Sequence, residues 1–161
     1  MIKVIDDFFS EDNANFVINF CRKADYHFGE VDEIGLPPVG FVAEIEKDTP
    51  IYKLFTSAIE KECADIIKGL AVGRTYVNCF APNENPFFHV DGESGYTFLY
   101  YVPSGQYQGI NDGGETQFFI NNQITGILPI PNRLVAFDAF IPHRATSFRG
   151  AHRFTLAVKY W

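Results

Sequence analysis

The sequence predicts an α+β fold in which N-terminal helices pack on one side of a double-sheet jelly roll. Up to residue 70 the apolar residues recur with helical spacing, whereas from Gly73 onward short β-rich runs alternate with turn residues. Helices followed by many short strands favour a cupin-like, double-stranded β-helix arrangement. With 161 residues, we expect a single domain over residues 1–161, with 1–70 as a helical support region and 73–161 as the jelly-roll core.

The first predicted elements are a short strand over Lys3 to Asp7 and a helix after it. Ser10 fits the N-cap of this helix, because Glu11 and Asp12 then place negative charge in its first turn. The face of the helix that we expect to be buried consists of Val17, Phe20, Cys21 and Ala24.

A second helix follows a loop that contains Gly35-Leu36-Pro37-Pro38-Val39-Gly40. Thr49 fits its N-cap, Pro50 fits its first position, and Gly69 marks its end. Its apolar stripe comprises Ile51, Leu54, Phe55, Ala58, Ile59, Cys63, Ile66, Ile67 and Leu70.

The second half of the chain contains seven predicted strands. They span residues 74–80, 87–91, 96–102, 115–120, 133–137, 143–148 and 153–160, and the segments between them are rich in Gly, Pro and Asn. The predicted turn segments are 82–85, 92–95, 104–114, 121–122 and 129–132.

A His-x-Asp pair ends one of these strands, in Phe87-Phe88-His89-Val90-Asp91. Residues two apart on an extended segment lie on the same face, so both side chains can reach one metal ion. His143 supplies a second imidazole later in the chain. Two imidazoles and one carboxylate form the facial triad of non-heme Fe(II) oxygenases, which leaves three positions open for cosubstrate and O2. The sequence therefore predicts an iron site of His89, Asp91 and His143.

Arg153 opens the last predicted strand and offers a planar guanidinium that can hold a carboxylate through two hydrogen bonds. A buried guanidinium is costly unless it is paired, and a dianionic cosubstrate is a suitable partner. Thr155 shares a face with Arg153, just as Tyr101 shares one with Thr97 on another strand.

From Tyr76 to Trp161 the chain resembles the prolyl 4-hydroxylase-like branch of the 2-oxoglutarate- and Fe(II)-dependent oxygenases. In that family the metal strand is followed by a Thr-x-x-x-Tyr strand, a Gly-Gly-Glu-Thr turn, a Pro-His pair and a basic residue. The same order is present here in Thr97-Phe98-Leu99-Tyr100-Tyr101, Gly113-Gly114-Glu115-Thr116, Pro142-His143 and Arg153.

The resemblance implies a role for each matching residue. His89, Asp91 and His143 would be the catalytic iron ligands. Arg153 would bind the distal carboxylate of 2-oxoglutarate, with help from the hydroxyls of Tyr101 and Thr155. The implied cofactor is Fe(II), with 2-oxoglutarate and O2 as cosubstrates. The implied reaction hydroxylates a substrate while 2-oxoglutarate yields succinate and CO2.

Several nearby residues are assigned structural roles. Gly113 and Gly114 are expected to give a turn its backbone freedom, and Glu115 and Thr116 are interpreted as structural. The side chains that share a face on the strand before the metal strand are candidates to line the pocket, although Phe80 fits core packing better; they are Tyr76, Asn78 and Phe80.

Charge and composition disfavour several classes of partner. The net charge of −7 and the pI of about 5.0 disfavour a broad nucleic-acid-binding surface. The three cysteines show no CxxC spacing, which favours free thiols over a zinc site or a disulfide framework. The absence of a long apolar run and of a signal-peptide pattern leads us to expect a protein without membrane spans, in the cytoplasm.

The substrate is less closely defined by the sequence than the reaction. The resemblance implies a prolyl residue in a peptide or protein, while a free amino acid or another small molecule is the alternative within the same class. Two other classes are a cupin-type metalloprotein that uses no 2-oxoglutarate and a non-catalytic jelly-roll binding module. Arg153 argues against the first and the intact triad against the second. The oligomeric state is not predicted.

Overall fold

The computed structural model describes residues 1–32, 34–103 and 107–161. Residues 104–106 of the predicted turn segment Ser104–Gly114 lie outside the described residues. The elements in chain order are β1 (Ile2–Ile5), α1 (Glu11–Cys21), β2 (His27–Phe28), β3 (Phe41–Glu44), α2 (Pro50–Cys63), β4 (Val72–Phe80), β5 (Tyr96–Tyr101), β6 (Thr116–Ile120), β7 (Gln123–Ile127), β8 (Leu134–Asp138), β9 (His143–Ala145) and β10 (Arg153–Tyr160).

The strands form two antiparallel sheets, as the predicted jelly roll requires. The larger sheet has the order β1-β8-β5-β10-β4-β3-β2, and the smaller one has the order β7-β6-β9. Both helices contribute to an apolar core with one face of the larger sheet, where Val17 and Phe55 belong to the same buried cluster as Leu156. Phe118 of the smaller sheet packs with Phe137 of the larger one in a second cluster. The double-stranded β-helix fold with helices on one sheet is therefore confirmed.

Successive side chains of β10 point alternately towards the core that contains the helices and towards the interior between the two sheets. Leu156 and Val158 belong to the cluster that contains the helices. The alternate residues, from Arg153 to Lys159, face the interior enclosed by the two sheets, because successive side chains of a strand point to opposite faces. Arg153, Thr155 and Lys159 line the same cavity there.

The predicted helix starts are confirmed. Ser10 Oγ accepts a hydrogen bond from the backbone N–H of Asn13, and Thr49 Oγ1 accepts one from Tyr52. The ends were placed too late, because α1 ends at Cys21 before Ala24 and α2 ends at Cys63. The chain beyond Cys63 continues as turns, with Gly69 at a φ of 83°.

The prediction of a mostly helical region over residues 1–70 is wrong in part. Besides the two helices and the expected strand β1, it contains β2 and β3, two further strands of the larger sheet. The strands β2 and β3 are only 2 and 4 residues long, which is too short for alternation to be distinguished from loop sequence.

Two further predictions in the second half need correction. Residues 87–91 do not form a regular strand, because only His89 makes an isolated bridge, to His143. In addition, β7 was missed. Asn121 and Asn122 both have positive φ and connect β6 to β7 as a tight two-residue turn, which is a recognised hairpin signal. The exposure of residues 123–126 on β7 removed the apolar pattern that would have identified it.

Within the described ranges, no helix is long and apolar enough to cross a membrane. The cysteines are free and buried, as predicted.

Candidate active site

The backbone of two segments holds the three predicted metal ligands together. His89 and His143 exchange both backbone hydrogen bonds, at 3.0 and 2.9 Å, so their side chains lie on neighbouring segments. The N–H of Asp91 donates to Ala139 O at 2.8 Å and anchors the carboxylate beside them. One potential ligand atom from each of His89, Asp91 and His143 lies within 4.8 Å of the others. The structure therefore brings the sequence-predicted triad together.

Hydrogen bonds assign the protonation of the two imidazoles. Nδ1 of His89 lies 3.1 Å from Phe87 O, and Nδ1 of His143 lies 2.8 Å from Ile141 O. A carbonyl oxygen can only accept, so each Nδ1 carries the proton and each Nε2 keeps its lone pair. The Nε2 atoms lie 3.6 and 3.5 Å from the two oxygens of Asp91. Two lone pairs and one carboxylate thus converge, and this donor set fits Fe(II).

Burial and the neighbouring charges keep His143 neutral and Asp91 ionised, which are the protonation states that metal binding needs. Desolvation lowers the pKa of His143 to about 4, so its imidazole is neutral at pH 7. Burial alone would raise the pKa of Asp91. The neighbouring His143, the ion pair with Lys159 and the hydrogen bond from Thr97 together outweigh that effect and keep the pKa of Asp91 below its usual value. The carboxylate is therefore ionised at neutral pH.

A second acidic side chain lies behind His89. Asp32 accepts a hydrogen bond from the N–H of Phe87 at 2.7 Å, and its other oxygen lies 3.5 Å from His89 Nδ1. Desolvation raises the pKa of Asp32, opposed by His89 and by the Phe87 hydrogen bond. The segment before β3 is thus connected directly to the metal-ligand segment.

Arg153 is fully buried in the same cavity as the triad. Its side chain is 1% exposed, and desolvation lowers the pKa of its guanidinium. Nε donates to Gly114 O at 2.7 Å, and Nη2 donates to Thr116 Oγ1 at 3.0 Å. No carboxylate among residues 1–32, 34–103 and 107–161 forms an ion pair with it. A guanidinium has five N–H donors, so several remain for an anion in the cavity.

The two predicted helpers of Arg153 are placed differently. Thr155 Oγ1 is buried in the cavity wall without a hydrogen-bond partner among the described residues. The Tyr101 ring lies 5.4 Å from the guanidinium carbon of Arg153. However, the Tyr101 hydroxyl donates to Thr116 Oγ1 at 2.7 Å or to Ile127 O at 3.2 Å. Its predicted contact with a cosubstrate carboxylate stays a prediction.

The Gly-Gly turn beside Arg153 has the predicted backbone freedom. Gly113 and Gly114 have φ values of 78° and 82°. A Cβ atom on Gly114 would lie 2.3 Å from the ring of Phe148, so the turn also needs the missing side chain. The carbonyl that holds Arg153 belongs to this turn.

Sequence reasoning missed several residues of the site. Thr116 was interpreted as structural, although it lines the cavity and contacts Arg153. The pocket-lining candidates Tyr76, Asn78 and Phe80 do line the cavity, and Phe80 is also buried, as its expected core packing requires. Lys159 was not considered, yet period-two alternation from Arg153 places it on the same inner face.

Comparisons with known proteins agree with this geometry at the level of the fold. No family model and no curated protein matches the sequence. Among solved structures, a 2OG-Fe(II) oxygenase family oxidoreductase from Burkholderia pseudomallei is similar with a TM-score of 0.77 at 11% identity, over 99% of this chain and 84% of that one. A prolyl hydroxylase from Trichoplax adhaerens, in complex with a hypoxia inducible factor oxygen degradation domain peptide, has a TM-score of 0.76 at 18% identity, over 99% and 83%.

A viral collagen prolyl hydroxylase from Paramecium Bursaria Chlorella virus-1, in its 2OG complex, has a TM-score of 0.69 at 13% identity, over 99% of this chain and 94% of that one. The described fold is thus the double-stranded β-helix of such oxygenases.

Proposed function

We propose that this protein is an Fe(II)- and 2-oxoglutarate-dependent dioxygenase of the prolyl 4-hydroxylase-like type, which hydroxylates a prolyl residue in a peptide or protein. One observation carries the proposal: the His89, Asp91 and His143 triad shares one cavity with Arg153, a buried cation without a carboxylate partner among the described residues. Binding of a metal ion alone would require only the triad, whereas binding of a metal ion together with an anionic cosubstrate would require the triad and Arg153.

The residues divide the work between binding and positioning. The Nε2 atoms of His89 and His143, with the Asp91 carboxylate, would hold the iron. Arg153 would bind the distal carboxylate of 2-oxoglutarate, and Thr155 could donate its unused hydroxyl to the same group. Iron(II), when bound, supplies the O2 chemistry that couples decarboxylation of 2-oxoglutarate to hydroxylation.

Apolar side chains form part of the cavity wall around the triad. Leu99 and Phe137 line it beside the triad, and Phe80 and Pro86 add further apolar surface. Because Arg153 is 1% exposed, solvent would screen an ion pair between its guanidinium and a bound dianion only weakly.

The surface beside His89 supports a polypeptide substrate. An open pocket on the surface is lined by Asp32, Phe88, His89, Val90 and Pro142, and His89 also lines the cavity. Val90 is 51% exposed there. Because this pocket and the cavity share Asp32, His89 and Val90, an extended chain bound in the pocket would be placed to insert one side chain into the cavity. The similar Trichoplax enzyme is recorded with a peptide.

We also infer that residues 1–161 act as one oxygenase domain, because β1, β2 and β3 complete the sheet that carries the site.

The buried free cysteines fit a reducing compartment and thus a cytoplasmic protein.

Two measurements test the proposal. Anaerobic addition of Fe(II) and 2-oxoglutarate to the metal-free protein should give a weak visible charge-transfer band that neither component gives alone. Mass spectrometry of a panel of proline-containing peptides, free proline and alkylated oligonucleotides should then find one added oxygen on a pyrrolidine ring. Repair of a methylated base with inert prolines would contradict the substrate, and absence of the band would contradict the cosubstrate.

A further inference from the structure

Two side chains on neighbouring strands contact the Asp91 carboxylate, one at each oxygen. Thr97 Oγ1 on β5 donates to Oδ2, and Lys159 Nζ on β10 lies 2.7 Å from Oδ1. Thr97 and Lys159 are direct cross-strand partners in the register of β5 and β10. The sheet therefore fixes both contacts at once, and a rotation of the carboxylate would break both.

Burial makes these contacts strong. Asp91 and Lys159 have side-chain exposures of 2% and 14%, so solvent screens the ion pair little. The ammonium also lies 5.5 Å from the centre of the Tyr76 ring, whose face attracts a cation. Lys159 is held from two sides and has little freedom to leave the carboxylate.

The number of oxygens that Asp91 gives to a metal matters for the proposed reaction. A carboxylate can bind a cation through one oxygen or through both. A facial triad leaves three positions open only when its carboxylate takes one. Binding through both oxygens would fill a position that cosubstrate or O2 needs.

We propose that Thr97 and Lys159 are a positioning pair that restricts Asp91 to one-oxygen coordination of the metal. This inference rests on the proposed iron site. Each partner contacts one oxygen of Asp91, and the two contacts together fix the orientation of the carboxylate plane. Lys159 has a second effect that Thr97 lacks, because its positive charge lies beside the cation site and weakens the binding of a divalent metal.

The pair can be separated by two substitutions with different expected results. In Lys159→Met both the contact and the charge are lost. We therefore expect Mn(II) to bind about tenfold or more tightly than to the parent, since a repulsive charge close to the ion is removed. In Thr97→Val one hydrogen bond to the ionised carboxylate is lost while the charge of Lys159 remains, so the Mn(II) dissociation constant should fall less than in Lys159→Met.

Titration calorimetry of the metal-free full-length protein with Mn(II) measures both affinities, and crystal structures of the Mn(II)-loaded variants show how many Asp91 oxygens bind. We expect one oxygen in the parent and two in both variants. Lys53→Met is the matched control, because Lys53 is an exposed lysine on α2 and forms only a long contact of 3.7 Å with Asp48.

Several outcomes would overturn the inference. Unchanged Mn(II) affinity and one-oxygen coordination in Lys159→Met would show that the lysine only stabilises the fold. A higher KM for the organic substrate with unchanged metal binding would instead identify Lys159 as a substrate anchor. If the parent binds Mn(II) and 2-oxoglutarate but the variants have the same Mn(II) affinity and coordination as the parent, the positioning role is wrong and the proposed function stands. If the parent binds neither, the proposed function falls with it.

Discussion

Replacing Arg153 by methionine tests the central assignment, because it removes the buried cation and keeps a long apolar side chain. Arg153 is 1% exposed, and its known hydrogen bonds go to one carbonyl and one hydroxyl. A bound 2-oxoglutarate would therefore be its only full counter-charge among the described contacts. Without the guanidinium, the distal carboxylate of the cosubstrate would be buried and unpaired.

The size of the effect follows from the cost of such a charge. Breaking a buried ion pair by removing one partner costs about 3–5 kcal/mol, and each 1.4 kcal/mol is tenfold in affinity, so the dissociation constant of 2-oxoglutarate should rise roughly 100- to 4,000-fold. Affinity for Mn(II) should stay within a factor of about three, because Arg153 contacts none of the three metal ligands.

The assay is anaerobic titration calorimetry of the Mn(II)-loaded protein with 2-oxoglutarate. Arg149→Met is the matched control, since Arg149 is an exposed arginine shortly before β10. Arg153→Lys should lie between parent and Arg153→Met, because it keeps the charge and loses the planar fork. An Arg153→Met variant that binds 2-oxoglutarate as the parent does would refute the assignment. Loss of Mn(II) binding as well would indicate misfolding, which thermal denaturation would detect.

The remaining expectations concern the triad, its pH response and the turn beside Arg153. Asp91→Ala should abolish stoichiometric Fe(II) binding with the circular dichroism spectrum preserved, and a variant that keeps bound Fe(II) and hydroxylates normally would contradict the triad. The pKa of His143 is lowered by burial from 6.5 to about 4, so its neutral form stabilises the fold fully above pH 6.5 and this contribution is lost as the pH falls towards 4. Denaturant unfolding of the metal-free parent and of His143→Gln should therefore diverge by about 2–3 kcal/mol between pH 7 and 4.5, and parallel curves would contradict this. Gly114→Ala should lower the free energy of unfolding by about 1–3 kcal/mol, because the added Cβ would clash with the Phe148 ring. Gly150→Ala is the control, since a Cβ at Gly150 would have no heavy atom within 4 Å. Equal unfolding midpoints for the two variants would contradict the prediction.

The sequence predicted the parts of the fold that depend on local signals. Ser10 and Thr49 cap helices where they were expected, because capping is decided by one side chain and the next turn. Strands with both faces buried, such as β5 and β10, carry enough β-branched and aromatic residues to be found. The short strands β2 and β3 and the exposed strand β7 carry no such pattern, and only pairing with a neighbour makes them strands.

The sequence alone predicted which residues would form the candidate site. The triad of His89, Asp91 and His143 can be recognised because a metal site requires particular ligand types. Arg153 can be recognised because a buried guanidinium requires an anionic partner. Only the tertiary structure decided how they are held. Hydrogen bonds to Phe87 O and Ile141 O orient the two imidazoles, and a register between β5 and β10 places Lys159 and Thr97 on the two oxygens of Asp91. Such contacts join residues distant in the chain, so their geometry comes from sheet pairing and burial rather than from any local pattern.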